Sequence, residues 1–347
     1  MFYKIITLTL IILFVYLLYD KPNRSIKSYT SEFYIPKKKY KNFYNPSVIK
    51  YNNNIITFHR ECSAKHNLDN LIKILTGHVF VSTIYYTYNN NITKLQIPLV
   101  ETIPKYKKIV AKDILIKGYE DPRAVVIEDK IILVCSVRAN SSKYYQVCII
   151  KIDANKLLTS PKVLKIEYDD VILLHPCDNS KRHQKNWSPF VYKDKLHLVY
   201  SINPQIIYSC NTNTGQVDKI LEKTYKNIPM NKMRGGSNLI PWIHPELGNV
   251  LITIVHGKIK WFYYHLFYIC KQEFPFTILG ISDNFIFKDN RIEFIDIKNP
   301  LHLYNVQFAS TLITMNDKLL VGYGEGDCKS KKCIIKVQDV NKIIKIL

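Results

Sequence analysis

The stretch that decides the fold is Tyr119-Glu120-Asp121-Pro122-Arg123, which stands directly before two apolar runs within residues 124–137. The runs are separated by three polar residues, a pattern that predicts a β-hairpin. Because proline fixes φ and donates no hydrogen bond to a sheet, Pro122 is expected at the first residue or the edge of a strand. Asp121 and Arg123 are therefore expected at a strand end, where functional side chains are often displayed. The alternative is an ordinary turn with an exposed ion pair.

The same layout recurs along the chain. Each unit has a polar opening, a short apolar strand, a tight turn and a second strand. The five openings are Asn45-Pro46-Ser47, Tyr119–Arg123, Lys185–Phe190, Arg234-Gly235-Gly236-Ser237 and Gln307-Phe308-Ala309-Ser310. A degenerate repeat at this spacing is typical of propeller blades. We therefore predict an all-β chain that folds as a five-bladed β-propeller, with the openings around one central pocket. A β-sandwich is the alternative, but it gives no reason for five similar openings.

The motifs resemble those of the five-bladed mannoside phosphorylase group and its relatives, which include protist β-1,2-mannosyltransferases. The matching pieces cover about residues 40 to 335 and are Asn45-Pro46-Ser47 with Arg60, Glu120-Asp121-Pro122-Arg123, Asn186-Trp187-Ser188-Pro189, Arg234-Gly235-Gly236 and Tyr323-Gly324-Glu325-Gly326-Asp327. Glu325 and Gly326 depart from the small residues that are common in the last of these motifs.

This resemblance implies an inverting reaction at a mannosyl anomeric carbon, with Asp121 as the general acid acting through a sugar hydroxyl. It also implies that Asn45, Arg60, Arg123 and Asp327 hold sugar hydroxyls, and we expect Glu120, Asn186 and Arg234 around the same sugar. Inverting glycosyl transfer needs an acid at the leaving oxygen and a nucleophile that enters from the opposite face. Carboxylates and arginine forks suit this substrate because both make paired hydrogen bonds to vicinal hydroxyls.

The nucleophile is left open by the sequence. Candidate ligands for phosphate or a sugar phosphate are Arg138, His183, Lys185, Arg234 and His256. If water attacks instead, the candidate bases are Glu61, Glu120 and Glu325. Three hypotheses of function therefore stay open. The chain is a mannosyl-type glycosyltransferase or phosphorylase, a glycoside hydrolase of the same fold, or a propeller that binds sugar without catalysis.

The distribution of basic residues indicates four positions at which arginine is required. Seven of the 49 basic residues are arginines, in a chain with a formal net charge of +21. Four of the seven, Arg60, Arg123, Arg138 and Arg234, fall at or beside the repeated openings. Lysine cannot replace a planar bidentate fork, so these arginines indicate a geometric requirement. The lysine excess itself is explained by codon bias and solvated loops. We expect no specific nucleic-acid binding, since no RNA-recognition, zinc-finger or recognition-helix pattern is present.

The N-terminus predicts a separate module. The uncharged apolar run Ile5–Tyr19 favours an uncleaved signal-anchor, because no small residues follow it for cleavage. The predicted organisation is a transmembrane helix at 1–19, a basic stalk at 20–43 and the propeller at 44–347. Charge counting favours a cytoplasmic C-terminal domain, whereas the family analogy favours the lumen or cell exterior. We predict the latter for a single-pass membrane protein, with a glycan or sugar-phosphate as its substrate.

Eight cysteines show no C-x-x-C pair, and the histidines lack metal-ligand spacing. We therefore expect no metal and no cofactor. Cys328 and Cys333 would close a small disulfide loop in an oxidising compartment, and free thiols are the alternative.

Overall fold

The computed structural model describes the backbone of residues 27–30, 32–33, 43–62, 80–107, 116–141, 144–160, 162–176, 184–228, 233–259, 262–288, 306–326 and 329–347. Short strands make up most of this part of the chain. Helical structure is confined to α1 (Ala154–Thr159), α2 (Val337–Asn341) and the 3₁₀ turns Val100–Thr102, Pro104–Tyr106 and Tyr168–Asp170 within the described residues. The predicted all-β class is confirmed.

The strands of the first half are β1 (Lys27–Thr30), β2 (Glu32–Phe33), β3 (Phe43–Tyr51), β4 (Asn54–Cys62), β5 (Phe80–Tyr88), β6 (Asn91–Gln96), β7 (Ile116–Ile127), β8 (Lys130–Ser141), β9 (Tyr144–Asp153), β10 (Val163–Lys165), β11 (Val171–Leu173) and β12 (His175–Pro176). Those of the second half are β13 (Ser188–Tyr192), β14 (Lys195–Ser201), β15 (Gln205–Cys210), β16 (Gln216–Lys223), β17 (Arg234–Gly235), β18 (Ile240–His244), β19 (Gly248–Ile259), β20 (Phe262–Lys271), β21 (Ile278–Ser282), β22 (Phe285–Lys288), β23 (Gln307–Met315), β24 (Lys318–Glu325), β25 (Lys329–Lys336) and β26 (Ile344–Ile346).

The five predicted hairpins are all formed as antiparallel pairs, namely β3–β4, β7–β8, β13–β14, β18–β19 and β23–β24. Residues of positive φ, such as Asn53, Asp194 and Asn316, lie in their tight turns. Such backbone matches the right-handed twist of the flanking strands. The fourth hairpin differs from the prediction, because its first strand is Ile240–His244 and not residues 238–242. The aromatic-rich segment Phe262–Lys271 forms a strand that pairs with the second strand of this hairpin.

Further strands extend each hairpin outward. The first hairpin continues through β5 and β6, and a parallel β5–β7 pairing joins it to the sheet β7–β8–β9–β11. The third sheet has the order β13–β14–β15–β16–β12, the fourth contains β17 to β22, and the fifth has the order β23–β24–β25–β2. The last strand, β26, returns to pair with β21 of the fourth sheet.

The apolar core lies between consecutive hairpin units. One cluster joins the first two units through residues such as Phe58 and Leu133, and the next joins the second and third through Ile132 and Leu196. The two following clusters join the third to the fourth and the fourth to the fifth. A small cluster that includes Val48 packs the fifth unit on the first. This circular sequence of interfaces is what a ring of sheets requires.

Hydrogen bonds close the same ring at its centre. They link neighbouring openings through Ala124 N to Ser47 Oγ (2.8 Å), Arg123 Nη2 to Asn186 Oδ1 (3.2 Å), Leu239 N to Pro189 O (3.0 Å), Leu312 N to Asn238 Oδ1 (3.0 Å) and Val48 N to Thr311 Oγ1 (3.1 Å). The fold is therefore propeller-like, with the polar openings gathered at its axis.

The prediction of a single-pass membrane protein has to be corrected. No helix in the described ranges is long and apolar enough to cross a lipid bilayer. The run Ile5–Tyr19, from which that prediction and its orientation were drawn, lies outside the described residues. Within the segment predicted as a stalk, residues 27–30 pair with β22 and residues 32–33 pair with β25, so this part of the chain joins two sheets.

Candidate active site

The site is built on irregular backbone at the first three openings. Asn45, Asp121 and Asn186 all have positive φ, at 48°, 53° and 63°. The first two sit in β-bulges, where the register of the hairpin shifts between Tyr44 and Ser47 and between Glu120 and Arg123. Bulges re-aim a side chain out of the strand's regular alternation, and Asn and Asp tolerate this conformation better than most residues. The repeated openings are thus local devices that turn polar side chains towards the ring axis.

Asp121 is buried and makes three contacts with side chains from two other hairpin units. Its Oδ1 accepts hydrogen bonds from Asn45 Nδ2 at 2.7 Å and from Arg60 Nη1 at 2.8 Å. Its Oδ2 lies 3.5 Å from Lys185 Nζ. The carboxylate is therefore held by the openings of the first and third hairpins as well as by its own strand.

Glu120, next along the chain, shares the same cations. Its Oε1 lies 2.9 Å from Arg60 Nη2, and its Oε2 accepts a hydrogen bond from Lys185 Nζ at 3.1 Å. Arg60 thus spans both carboxylates, and its Nε also donates to Ser82 Oγ at 2.9 Å. We call Arg60, Glu120, Asp121 and Lys185 the carboxyl cluster. Arg60, Glu120 and Asp121 are buried, while the Lys185 side chain is 31% exposed.

The cations keep both carboxyls ionised in the free protein. Burial by itself raises the pKa of Asp121, but the charges of Lys185, Arg60 and Arg123 outweigh it and hold that pKa well below its usual range. The pKa of Glu120 is also lowered, because Arg60 and Lys185 offset the cost of its burial. The same pairing raises the pKa of Lys185 against the effect of its own burial. Asp121 therefore donates no proton until the balance of charge around it changes.

Tyr145 is a residue that the sequence analysis did not select. The Arg138 guanidinium carbon and the Lys185 Nζ lie 4.7 Å and 4.4 Å from the centroid of its ring. Its hydroxyl accepts a hydrogen bond from Arg138 Nη2 at 2.8 Å and donates to Glu120 Oε1 at 3.4 Å. Arg138 and Tyr145 are register partners on β8 and β9, two consecutive strands of the chain, and this pairing was the available signal. The result is a strip of cations beside the carboxyls.

The guanidinium of Arg123 forms its hydrogen bonds with other groups of the protein. It is 1% exposed, and its guanidinium donates to Gly236 O, to the backbone oxygen of Asp121 and to Asn186 Oδ1, at 2.6, 3.1 and 3.2 Å. Its guanidinium also lies over the ring of Phe308, 5.0 Å from the centroid. Arg123 thus contacts four of the five hairpin units.

Arg234 and His256 are paired across β17 and β19 and contact aromatic side chains. The Arg234 guanidinium lies 5.5 Å from the ring centroid of Tyr200. His256 packs on Tyr263 and against the edge of Phe308. Burial, together with the nearby charge of Arg123, lowers the pKa of His256 to about 3. A histidine that is neutral at pH 7 offers phosphate hydrogen bonding but no positive charge.

Other predicted residues lie elsewhere or are not described. Glu325 is buried and lies 2.9 Å from the Nζ of Lys331, itself 1% exposed, and 3.6 Å from that of Lys329. Gly324 next to it faces the Oδ1 atom of Asn45, so that any side chain there would collide with this amide. The candidates His183 and Asp327 lie outside the described residues, as does Cys328.

Asn45 presents a polar atom that the protein leaves unused. Asn45 is buried, and its Oδ1 has no hydrogen-bond partner among the described residues, although its Nδ2 donates to Asp121. Buried acceptors are normally satisfied, and exceptions point to a functional role or an absent partner. This acceptor stands beside the carboxyl cluster.

Comparison with solved structures places the fold. The chain aligns with a structure reported under the GH130 family of mannoside phosphorylases, described as containing glycoside hydrolases that target β-1,2-mannosidic linkages in Candida mannan. The TM-score is 0.56 at 14% identity, over 92% of this chain and 96% of the other. A β-1,2-mannobiose phosphorylase from Listeria innocua aligns with a TM-score of 0.52 at 14% identity, over 93% and 94% of the two chains. At these identities the likeness establishes the fold.

Sequence comparison gives a shorter match. A segment of 62 residues is 34% identical to β-mannosyltransferase 2 of Komagataella phaffii. It covers 17% of this chain and 10% of that protein, so the chain matches only a small part of the relative's length. No family model matches the sequence. The predicted resemblance to the mannoside phosphorylase and β-mannosyltransferase group is confirmed.

Proposed function

We propose that this chain is a glycan-active enzyme that carries out inverting transfer or phosphorolysis of a mannosyl or related glycosyl group within a five-bladed β-propeller. The observation that carries the proposal is the carboxyl cluster. Two buried carboxylates lie at the ring axis, bridged by Arg60 and capped by the partly exposed Lys185. This cluster is the combination of acid and cations that glycosyl transfer to an anionic co-substrate requires.

The sugar is assigned to the space beside Asn45 and Asp121. The ionised Asp121 is the acceptor that we propose for a sugar hydroxyl, whereas the Oδ1 of Asn45 is buried against Gly324. Whether the proton goes directly to the leaving oxygen or passes through a sugar hydroxyl, Asp121 has to be protonated in the complex before it can act as the acid. For Asp121 to act as the acid, the influence of Lys185 on its carboxylate has to weaken in the complex.

The cationic strip of Arg138 and Lys185 supports phosphate, or the phosphate of an activated sugar, as the second ligand. Both cations flank Tyr145 beside the carboxyls, and Lys185 is the more exposed member of the carboxyl cluster. An anion that binds Lys185 would draw its charge away from Asp121. The two ligands are thereby coupled: the second one creates the protonation state that the first reaction step needs.

The test is an assay of the full chain with β-1,2-mannobiose, with and without inorganic phosphate, and with mannose 1-phosphate or a nucleotide-mannose plus a mannoside acceptor. Phosphate-dependent release or transfer from either donor supports the proposal. Release of mannose regardless of phosphate identifies a hydrolase. Binding of the sugar with no turnover under any condition identifies a non-catalytic propeller.

The variant Asp121→Asn provides the residue-level prediction. We expect it to lose about 10²–10⁴-fold in kcat, the usual effect of removing a general acid. Asparagine accepts the positive φ of 53° at this position, so the fold should persist. Asp194→Asn is the matched control, because Asp194 has a φ of 54° but lies in an exposed hairpin turn. Full activity in Asp121→Asn would exclude Asp121 as the acid.

A further inference from the structure

Arg123 occupies an unusual position, because one guanidinium meets groups from all the hairpin units except the first. Among the residues that the structure describes, it is one of the largest fully buried side chains. Its three hydrogen bonds end on Asp121 O in the second unit, Asn186 Oδ1 in the third and Gly236 O in the fourth. The ring of Phe308, in the fifth unit, lies below the guanidinium. These contacts use both terminal nitrogens and Nε of the side chain.

Two of the acceptors belong to backbone that is costly to form. Asp121 and Asn186 both have positive φ, which side chains other than glycine adopt only when the surroundings impose it. Arg123 donates to the backbone oxygen of the first and to the side chain of the second. The same cation therefore restrains the two openings that direct polar groups to the ring axis.

We propose that Arg123 is a positioning residue that fixes the bulge of Asp121 and the amide of Asn186, and that it does not bind the sugar. This inference rests on the proposed function for its kinetic consequence, but not for its structural one. It departs from the expectation that Arg123 holds sugar hydroxyls. A lysine at this position would keep the charge and lose the fork that reaches three acceptors at once.

The kinetic experiment compares Arg123→Lys with the wild-type chain on β-1,2-mannobiose and phosphate. We expect kcat to fall about 10²-fold, since small misplacement of a catalytic group has effects of that size. The KM and the dissociation constant for mannobiose should change by less than about threefold, because uniform binding of the sugar is retained. A rise in KM that accounts for the whole loss would show that Arg123 binds the sugar and would overturn the proposal.

Amide hydrogen exchange tests the structural part without any activity. We expect exchange in residues 118–124 and 234–239 of Arg123→Lys to be at least about tenfold faster than in wild type, while residues 146–152 stay unchanged. Unchanged exchange in the first two segments would overturn the proposal. If wild type shows no turnover on any donor but the exchange result is as expected, the proposed function fails and the positioning role stands.

A second variant covers the case in which Arg123→Lys does not fold. Asn186→Gly removes one acceptor of Arg123 and retains backbone that adopts the φ of 63° easily. Its matched control is Asn53→Gly, since Asn53 has the same φ of 63° in an exposed hairpin turn. We expect faster exchange of residues 118–124 in the first variant alone. Equal exchange in both variants would contradict the coupling between Arg123 and the two openings.

Discussion

Two clusters of buried titratable side chains near the ring axis differ in their charge state. In the carboxyl cluster, Glu120 and Asp121 stay charged because Arg60 and Lys185 lie within 2.8–3.5 Å of them. His256 and His265, which face each other across β19 and β20 and which we call the histidine pair, stay neutral. Burial lowers the pKa of each histidine to about 3.

The surroundings of the histidine pair explain its neutrality. His265 packs on Phe285 and Phe287, and its Nε2 accepts a hydrogen bond from the amide of Ala309 at 3.3 Å. Aromatic neighbours cannot solvate a cation as carboxylates do, and the neighbouring charge of Arg123 disfavours a second one at His256. The carboxyl cluster is thus held in its charged state by neighbouring cations, whereas the histidine pair is held neutral by burial among aromatic side chains.

The largest effect on the carboxyl cluster is expected from Arg60→Met, which removes the cation that bridges both carboxylates. We expect the free energy of unfolding to fall by about 3–5 kcal/mol, the usual cost of leaving a buried charge without its partner. The measurement is urea denaturation at pH 7.5. The control Lys345→Met breaks an exposed pair with Asp283, both side chains being 67% exposed, and should cost less than about 1 kcal/mol. Similar small losses in both variants would mean that the carboxyl cluster contributes no more than a surface pair.

The histidine pair predicts a pH dependence in a different window. An unfolded histidine titrates near pH 6.5, so between pH 6.5 and 3 the unfolded state binds more protons and stability falls as the pH is lowered. From pH 7.5 to pH 5, one such histidine accounts for about 2 kcal/mol of lost stability. The variant His256→Gln should therefore lose about 2 kcal/mol less than wild type over this range, measured by urea denaturation at both values.

The chosen pH range separates the contribution of the histidine pair to stability from that of the carboxyl cluster. The depressed pKa of Asp121 gives stability that is present above the unfolded value, near 4, and is lost only as the pH falls below it. Measurements at pH 7.5 and 5 thus report the histidines. An identical loss in wild type and His256→Gln would show that His256 is already protonated in the folded chain at pH 5.

The hairpins and the gathering of the openings could be predicted because both depend on short, local sequence patterns. Alternating apolar residues and Asn, Asp and Lys turns specify each hairpin, and five similar openings place Asn45, Asp121 and Asn186 at one axis. Arg60 was found for the same reason, since it closes the hairpin that Asn45 opens. The features that recur in each hairpin unit could therefore be predicted from the sequence.

The functions of individual side chains at the axis depend on contacts between units, which no local pattern contains. Arg123 follows Asp121 by two residues, yet its partners Asn186 and Gly236 are 63 and 113 residues away. Tyr145 and Lys331 stand on β9 and β25, which carry no opening, and strand pairing within their own sheets brings them to Glu120 and Glu325. Sequence reasoning thus identifies the residues at the centre better than it identifies what each one holds.

The smallest predicted effect concerns how finely the carboxyl cluster is balanced. In Lys185→Met we expect the pKa of Asp121 to rise, because the largest of the charge effects that lower it is removed. The titration is followed by carbon-13 NMR of the Asp121 carboxyl, assigned by its absence in Asp121→Asn. Lys193→Met is the matched control, since Lys193 also lies over a tyrosine ring, that of Tyr192, but in an exposed turn.

Inorganic phosphate makes the same experiment a test of coupling. If phosphate binds Lys185 and draws its charge from Asp121, adding phosphate to wild type should raise the pKa of Asp121 in the same direction. The increment should vanish in Lys185→Met, because the cation that transmits it is gone. A titration of Asp121 that ignores both the variant and phosphate would show that Arg60 and Asn45 alone hold the carboxylate, which would make the carboxyl cluster as fixed as the histidine pair.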